Sequence, residues 1–280
     1  MAKIAVIGAS SAPGHYVLSM LQTQDHEVVA FTRKTVGSGS SWQQLNKEIS
    51  TGHFDICICL APIWTVPEYF NWMHNSGIKK VIAVSSTSVI TKAKTQDQYD
   101  FSVVQKLQKG EKQLRKWAIE QDVSWVVLRP TLIYGDAKDQ NITSVARFIR
   151  RFHFFPLLGK ASGLRQPIHA RDVASACTLS LSTDIVNKAY NITGSETLTY
   201  REMVTRVFKA LNKTPRLLTI PLPLIRVGLT VLNKIPGFTH ITPGMAERMN
   251  QNMTFGGKDE VELPGFKPTS FTLTEKDVVE

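Results

Sequence analysis

Residues 1–130 alternate between short, almost continuous apolar runs and segments in which apolar positions recur at helical spacing. The apolar runs predict strands of a parallel sheet covered by helices on both faces. Among the helical segments, Val103–Ile119 is amphipathic, with Leu107, Leu114 and Trp117 among many charged residues. The predicted strands are Lys3–Ile7, Glu27–Thr32, Phe54–Leu60, Lys80–Val84 and Ser124–Leu128, and the first predicted helix is Gly14–Gln24. This βαβ pattern indicates an α/β fold.

After Arg129 the alternation weakens and prolines become frequent. The pattern therefore predicts two parts, a domain over residues 1–135 and a smaller C-terminal portion over 136–280. Helix 170–182 and a nearby strand are expected to return to the first domain. Helices are predicted at Ile142–Arg151, Ala170–Ser180 and Tyr200–Leu211, whereas Arg248–Phe255 and Leu263–Phe271 are expected to be irregular or short.

A turn rich in small residues, Gly8-Ala9-Ser10-Ser11-Ala12-Pro13-Gly14, joins the first predicted strand to the first predicted helix. Gly8 permits a tight turn, and Gly14 lets the helix pack close to the strand. Amide groups at the helix start, with the positive end of the helix dipole, attract a pyrophosphate. This context predicts a Rossmann-type, doubly wound parallel sheet with a dinucleotide site at Gly8, Ser10, Ser11 and Gly14. A βα turn that binds nothing is the alternative.

The residues at the end of the second strand distinguish between the two nicotinamide dinucleotides. An NAD site favours a carboxylate at this position, to accept a hydrogen bond from the ribose. The sequence has Thr32-Arg33-Lys34 instead. A guanidinium can bind a 2′-phosphate through two hydrogen bonds, so NADP(H) is the expected cofactor. A solvated Arg–Lys pair is the alternative.

The charge distribution points to an anionic partner. The net charge is +10, and residues 141–216 contain twelve Lys or Arg against four Asp or Glu. This excess is consistent with a phosphorylated or nucleotide-linked small-molecule substrate, and a solvated basic face is the other explanation. No nucleic-acid-binding motif accompanies the charge, so a nucleic-acid partner is not expected.

The three cysteines, Cys57, Cys59 and Cys177, lack metal-site spacing and are expected to be buried thiols in a cytoplasmic protein. No metal site is therefore expected. No apolar stretch is long enough for a membrane span, and Leu217–Leu232 is interrupted by prolines and Arg226. That apolar stretch could contact a membrane surface or line an apolar pocket. The sequence also leaves open whether the protein forms a homodimer.

Six segments occur in the same order as motifs of one superfamily. They are Gly8–Gly14, Leu60–Pro62, Val84–Val89, Leu128–Gly135, Arg165–Val173 and Gly265–Pro268. Together they resemble the extended and atypical short-chain dehydrogenase/reductase superfamily, and more narrowly the NAD-dependent epimerase/dehydratase family. The resemblance implies an N-terminal Rossmann domain and a substrate-binding C-terminal portion. It also adds cofactor contacts at Leu60, Ala61, Pro62, Pro130 and Thr131.

The resemblance assigns Ser86 to the serine whose hydroxyl polarises a substrate oxygen. Family members pair it with a tyrosine and a lysine four residues later, the lysine lowering the pKa of the tyrosine. Alignment on Glu111 places Val103 and Leu107 at these two positions, and neither side chain can transfer a proton.

Two substitutes for the missing pair lie nearby. Tyr99 precedes Val103 by about one helical turn, and Lys106 is adjacent to the lysine position. We list both as candidate catalytic residues, with a surface tyrosine and a solvated lysine as the alternatives.

For the substrate, the resemblance implies binding by Arg165 and by Asn141, the latter alternatively a helix N-cap. Leu132 stands where sugar epimerases often have an asparagine, which argues against an ordinary UDP-hexose. His169 is expected to be structural and Asp172 to be a helix cap.

The sequence is consistent with two functions. The first is an NADP(H)-dependent oxidoreductase or epimerase-type enzyme acting on a phosphorylated or nucleotide-linked carbonyl or alcohol. The second is a non-catalytic NADP(H)-binding sensor or scaffold, which the absence of the Tyr–Lys pair favours.

Overall fold

The structure is a computed structural model that describes residues 1–24, 26–32, 42–44, 52–93, 97–221, 248–255 and 262–279. The strands are β1 (Lys3–Ile7), β2 (Glu27–Thr32), β3 (Trp42–Gln44), β4 (Ile56–Cys59), β5 (Lys80–Val84), β6 (Ser124–Pro130), β7 (Ile133–Tyr134), β8 (Phe155–Leu158), β9 (Leu164–Arg165), β10 (Ile168–His169), β11 (Lys188–Ile192), β12 (Leu198–Thr199) and β13 (Leu217–Ile220). The helices are α1 (Ala12–Gln22), α2 (Phe70–Asn75), α3 (Ser88–Thr91), α4 (Gln98–Glu120), α5 (Ile142–Phe152), α6 (Ala170–Leu179), α7 (Tyr200–Ala210) and α8 (Glu275–Val278). A 3₁₀ helix, Ile63–Tyr69, precedes α2.

Seven strands form the central sheet in the order β11-β6-β5-β4-β1-β2-β3. Every neighbouring pair in it is parallel. The predicted doubly wound Rossmann-type sheet is confirmed. The strand order reverses between β1 and β4, and ligands of such sheets bind outside the carboxyl ends of the strands at this switch point.

Both faces of the sheet are buried. On one face, Ala5, Cys57 and Val81 pack in a core with residues of α4 and the 3₁₀ helix. Ile4 and Ile58 alternate with these residues along their strands, so they point to the other face, and they are fully buried as well. Burial on both faces explains why the strands read as apolar runs without alternation.

The chain divides into two compact units. The first contains residues 1–131 and 168–193 and, of the later described residues, 262–268. The central sheet with α1, α4 and α6 belongs to it.

The second unit contains residues 132–167, and of the later described residues 194–221, 248–255 and 269–279. In it β13 pairs with β8 in parallel and β12 pairs with β9 antiparallel. Its core is built mainly from α5, β8 and α7, together with Met249 and Phe271. Residues 217–220, the start of the apolar Leu217–Leu232 stretch, thus form a strand.

Helix α4 begins earlier than the apolar spacing predicted. Asp97 is its N-cap, and the Asp97 carboxylate accepts a hydrogen bond from the amide of Asp100 at 2.9 Å. The helix therefore starts at Gln98 rather than near Val103, because the Asp97 side chain satisfies an amide of the first turn that has no partner within the helix. Tyr99 and Lys106 consequently lie on the same helix.

Candidate functional site

The β1–α1 turn has the geometry that an anion site requires. Gly8 adopts φ +80°, and Ser11 is the N-cap of α1. The Ser11 hydroxyl donates to the carbonyl of Gly8 at 2.8 Å and accepts from the amide of Gly14 at 3.2 Å. Pro13 has no amide hydrogen, so among the described residues the Ala12 amide and the positive end of the helix dipole are left for an external anion.

Two glycines hold the turn close to its neighbours. A Cβ atom on Gly8 would lie 2.8 Å from the amide nitrogen of Ala61, and one on Gly14 would lie 2.3 Å from the carbonyl oxygen of Ala9. The Leu60 amide in turn donates to the carbonyl of Ile7 at 2.8 Å. The turn and the segment that begins at Leu60 therefore form one compact edge at the switch point between β1 and β4.

The other predicted cofactor residues lie along the same carboxyl edge. Thr32 ends β2, beside β1, and Pro62 is the N-cap of the 3₁₀ helix that follows β4. Pro130 ends β6, and the amide of Thr131 donates to the carbonyl of Ile192 at 3.0 Å. Parallel strands place these residues at one edge, and their contact with a cofactor stays a prediction. Arg33 and Lys34 lie outside the described residues.

Ser86 is the second residue after the end of β5 and is half-buried. Its hydroxyl lies 3.1 Å from the hydroxyl of Ser88, to which it donates, and it accepts from the amide of Ser88. The Thr87 amide donates to the carbonyl of Pro130, so the hydrogen bonding between β5 and β6 continues past the end of β5. Ser86 is thus held on the carboxyl edge of the sheet, where a substrate oxygen could reach its hydroxyl.

On α4 the positions expected for the Tyr–Lys pair face the core. Leu107 is buried, and Val103 packs against the same apolar cluster. Tyr99 is 75% exposed, and Lys106 is also exposed. The helix therefore carries both substitutes on its solvent side, and their catalytic role stays a prediction.

A buried ionic cluster on α4 was not foreseen from the sequence, where Glu111 served only to align the motif. Arg129 donates to both carboxylate oxygens of Glu111, from Nε at 3.0 Å and from Nη2 at 2.5 Å. The hydroxyl of Ser85, next to Ser86, donates to Glu111 Oε1 at 2.6 Å. A carboxylate among the apolar positions of an amphipathic helix was the available signal, because a buried charge requires partners.

A second ion pair lies at the start of α4. Lys92 Nζ is 2.9 Å from Oδ1 of Asp100, whose side chain is only 6% exposed. The pair joins the residue after α3 to the first turn of α4. It therefore fixes the segment that follows Ser86 against the helix.

Arg165 in the second unit has a structural task. It is 5% exposed, and its guanidinium donates to the carbonyls of Leu164 at 2.7 Å, of Gln251 at 2.8 Å and of Arg248. Burial lowers the pKa of Arg165 to about 10. These bonds fasten the segment around residues 248–251, and substrate binding by Arg165 stays a prediction.

Asn141 occupies the N-cap position of α5, but its side chain makes no capping hydrogen bond. Asp139 does so instead, since its Oδ1 accepts from the amides of Asn141 at 2.7 Å and Ile142 at 2.6 Å. The capping role considered for Asn141 is therefore wrong. At α6 the ring of His169 accepts from the amide of Arg171, so His169, rather than Asp172, is the cap.

Other chemistries find little support in the described part of the chain. The three cysteines are free and buried, and burial raises the pKa of Cys59 and of Cys177 to about 12. Within the described ranges, no group of three or more His, Cys, Asp or Glu residues could hold a metal ion. No helix there has the length and apolar character needed to cross a membrane.

Several solved structures share this fold. UDP-glucose 4-epimerase from Thermotoga maritima, with UDP-glucose, is 14% identical, with a TM-score of 0.63, covering 78% of this chain and 85% of that one. UDP-N-acetylglucosamine 4-epimerase from Bacillus cereus is 17% identical, with a TM-score of 0.63, covering 79% and 86%. MoeE5, in complex with UDP-glucose and NAD, is 21% identical, with a TM-score of 0.61, covering 78% and 85%. At these identities the likeness concerns the fold.

Sequence comparison supplies two further findings. The chain is 25% identical over 116 residues to the NADH dehydrogenase [ubiquinone] 1 alpha subcomplex subunit 9, mitochondrial, of Arabidopsis thaliana. That match covers 39% of this chain and only 29% of the relative. The profile of the NAD dependent epimerase/dehydratase family matches residues 68–193. The resemblance inferred from the motifs is thereby confirmed as a similarity to the NAD dependent epimerase/dehydratase family over residues 68–193.

Proposed function

We propose that this protein binds NADP(H) at the carboxyl edge of its sheet and acts as an oxidoreductase or epimerase-type enzyme. The observation that carries the proposal is the β1–α1 turn. Gly8 at φ +80° and the Ser11 cap direct the start of α1 toward the switch point. A pyrophosphate is the ligand that this arrangement of amides and dipole favours.

The preference for NADP(H) rests on the sequence after β2. Strand β2 ends at Thr32, and its neighbour β1 ends at Ile7, with Ile7 paired with Phe31. Arg33 and Lys34 follow Thr32 directly, without an acid. An acid there would repel a 2′-phosphate, whereas a guanidinium would bind it. One of the solved structures named above contains NAD, so the proposed preference rests on residues 32–34 of this chain and not on those structures.

The proposed substrate is a phosphorylated or nucleotide-linked carbonyl or alcohol compound. A bound nicotinamide would supply or accept the hydride. The chain would supply the Ser86 hydroxyl, which can exchange its hydrogen bond with Ser88 for one to the substrate oxygen. Two of the solved structures named above contain UDP-glucose, and the basic excess of residues 141–216 supports an anionic substrate.

A second candidate, a non-catalytic NADP(H) sensor or scaffold, rests on α4. Val103 and Leu107 stand where the family has its proton-transferring pair, and Tyr99 faces solvent. The similarity to a protein named as a subunit of a NADH dehydrogenase also supports a sensor or scaffold function. Both candidates share the cofactor site and differ in turnover.

Two measurements on the purified chain test the proposal. Calorimetry with NADPH and NADH is expected to give binding of both and tighter binding of NADPH. Absorbance of NADPH is then followed with a panel of phosphorylated and nucleotide-linked carbonyl compounds. Turnover supports the enzyme, binding without turnover supports the sensor, and the absence of binding to well-folded protein rejects both.

A further inference from the structure

The second unit contains a basic cleft whose residues have no individual role in the proposed function. Of the described residues, His153, Lys213, Thr214 and Arg216 line it, and it encloses about 170 Å³. Strands β8 and β13 pair in parallel, with Phe155 opposite Leu217. The residues that precede the two strands are therefore side by side, and the amide of Phe155 donates to the carbonyl of Arg216 at 2.9 Å.

Each polar side chain that lines this basic cleft can donate a hydrogen bond. Lys213 Nζ lies 3.0 Å from Nδ1 of His153. An ammonium can only donate, so Nδ1 accepts in this contact and the ring donates from Nε2. The remaining ammonium hydrogens, the Nε2 hydrogen, the Arg216 guanidinium and the Thr214 hydroxyl are available donors.

No acid in the flanking sequence neutralises these groups. Residues 140–171 and 203–246 contain neither Asp nor Glu. Among the described residues, no carboxylate forms an ion pair with His153, Lys213 or Arg216. Two further cations, Arg150 and Arg151, are exposed in the last turn of α5.

Compensation of helix dipoles explains only part of this cluster. Cations in the last turn of a helix stabilise it, which accounts for Arg150 and Arg151. Arg216 precedes a strand and has no helix end to compensate, yet it lines the same cleft as Lys213 and His153. A cleft lined by several donors, with no carboxylate among its lining residues, suits a ligand that has only acceptors.

We propose that the basic cleft formed by His153, Lys213, Thr214 and Arg216 binds a phosphate group. A phosphate offers oxygen acceptors in several directions, and a guanidinium and an ammonium bind it through charge-assisted hydrogen bonds. The group belongs either to a soluble phosphorylated compound or to a phospholipid headgroup, which share this chemistry. The site is independent of the cofactor site, since none of its residues takes part in that site.

The test compares two double variants with the same change in charge. Lys213→Gln/Arg216→Gln alters the cleft, and Lys109→Gln/Lys112→Gln removes two exposed cations from α4 as the control. Binding of inorganic phosphate and of glycerol 3-phosphate is measured by calorimetry with NADPH present, so that the β1–α1 turn is occupied. Sedimentation with vesicles of phosphatidylcholine, alone or mixed with phosphatidic acid, is measured in parallel.

The cleft variant is expected to bind its phosphate probe about tenfold or more weakly than the control, because each lost charge-assisted bond is worth about that factor. His153→Asn, which tolerates the left-handed backbone at φ +63°, is expected to show a smaller loss. An effect on soluble phosphates alone identifies a soluble ligand, and an effect on phosphatidic acid vesicles identifies a headgroup.

The proposal is overturned if the cleft variant and the control bind every probe alike. It is also overturned if the cleft variant melts at a lower temperature with unchanged phosphate affinity, since the cations would then serve only the fold. Failure of NADPH to bind would reject the proposed function but not this site, because the comparison between variants still holds.

Discussion

Glu111 and Arg129 form a two-point ion pair inside the first unit, with Arg129 Nε and Nη2 each donating to one oxygen of the carboxylate. The side chains are 7% and 19% exposed, respectively. The Glu111 carboxylate also accepts from Ser85, the neighbour of Ser86. The pair thus links α4 to the ends of β5 and β6, where the candidate catalytic serine lies.

Loss of one partner of this pair is expected to destabilise the protein strongly. Glu111→Gln leaves the Arg129 guanidinium buried without a counter-charge, which costs about 3–5 kcal/mol. The control on the same helix is Glu120→Gln, whose partner Lys116 lies 3.7 Å away at the surface, with an expected cost of about 0–1 kcal/mol. Urea unfolding measures both, and similar losses for the two variants would contradict the assigned role of Glu111.

Replacement of Ser85 is expected to lower mainly stability, and replacement of Ser86 is expected to lower mainly activity. Ser85→Ala removes a hydrogen bond to a buried carboxylate and is expected to cost about 1.5–3 kcal/mol in the free energy of unfolding. Ser86→Ala is expected to leave stability almost unchanged and, in an active enzyme, to lower kcat about 100-fold, as removal of an oxyanion-stabilising donor does. Kinetics and urea unfolding of both variants check this; a larger kcat loss for Ser85→Ala would transfer the catalytic role.

Local features of the sequence were sufficient for much of the sheet. Strands β1, β2 and β5 have the bounds that their apolar runs predicted, because each run is bordered by polar residues or glycine. The 3₁₀ helix was missed because it is short and contains Pro67, which interrupts any helical pattern. Strand β13 was missed because its apolar residues merge with a longer apolar stretch.

The candidate site likewise has a part that the sequence predicts and a part that it does not predict. The glycine turn is a local motif, so its geometry follows from residues that are adjacent in the chain. The contacts of Glu111 with Ser85 and Arg129 join residues 26 and 18 positions apart on different elements. The spacing of residues along one sequence contains no information on such distant partners. It also does not show which carbonyl groups accept hydrogen bonds from the guanidinium of Arg165.

A methyl group at Gly14 is expected to weaken cofactor binding. The Cβ of Gly14→Ala would meet backbone atoms of Ala9, so the start of α1 must shift away from the turn. Gly163→Ala is the control, since its Cβ would meet the carbonyl oxygen of Gln251 at 2.4 Å within the second unit. Both variants should lose stability, but only Gly14→Ala should raise the Kd for NADPH. Equal Kd values would remove the turn from the site.

The cofactor preference is tested at Arg33. Arg33→Ala is expected to weaken NADPH binding at least about tenfold, through loss of charge-assisted hydrogen bonds, and to leave NADH binding nearly unchanged. Lys112→Ala, an exposed cation on α4, controls for net charge. Calorimetry with both dinucleotides measures the ratio of the two Kd values. An equal loss for NADPH and NADH would refute the assignment of Arg33 to the 2′-phosphate.

Buried thiols are expected to make the fold sensitive to alkali. Burial raises the pKa of Cys177 from 9.0 to about 12, so between these values the unfolded chain loses a proton that the folded chain keeps. The stabilising contribution is therefore complete below about pH 9 and falls as the pH rises, by up to about 1.4 kcal/mol per pH unit for one thiol. Cys177→Ala should lower stability at neutral pH by leaving a small cavity, yet its stability should fall less steeply toward about pH 10. Urea midpoints across this range give the two slopes, and parallel slopes would show that the Cys177 thiol ionises alike in the folded and unfolded chains.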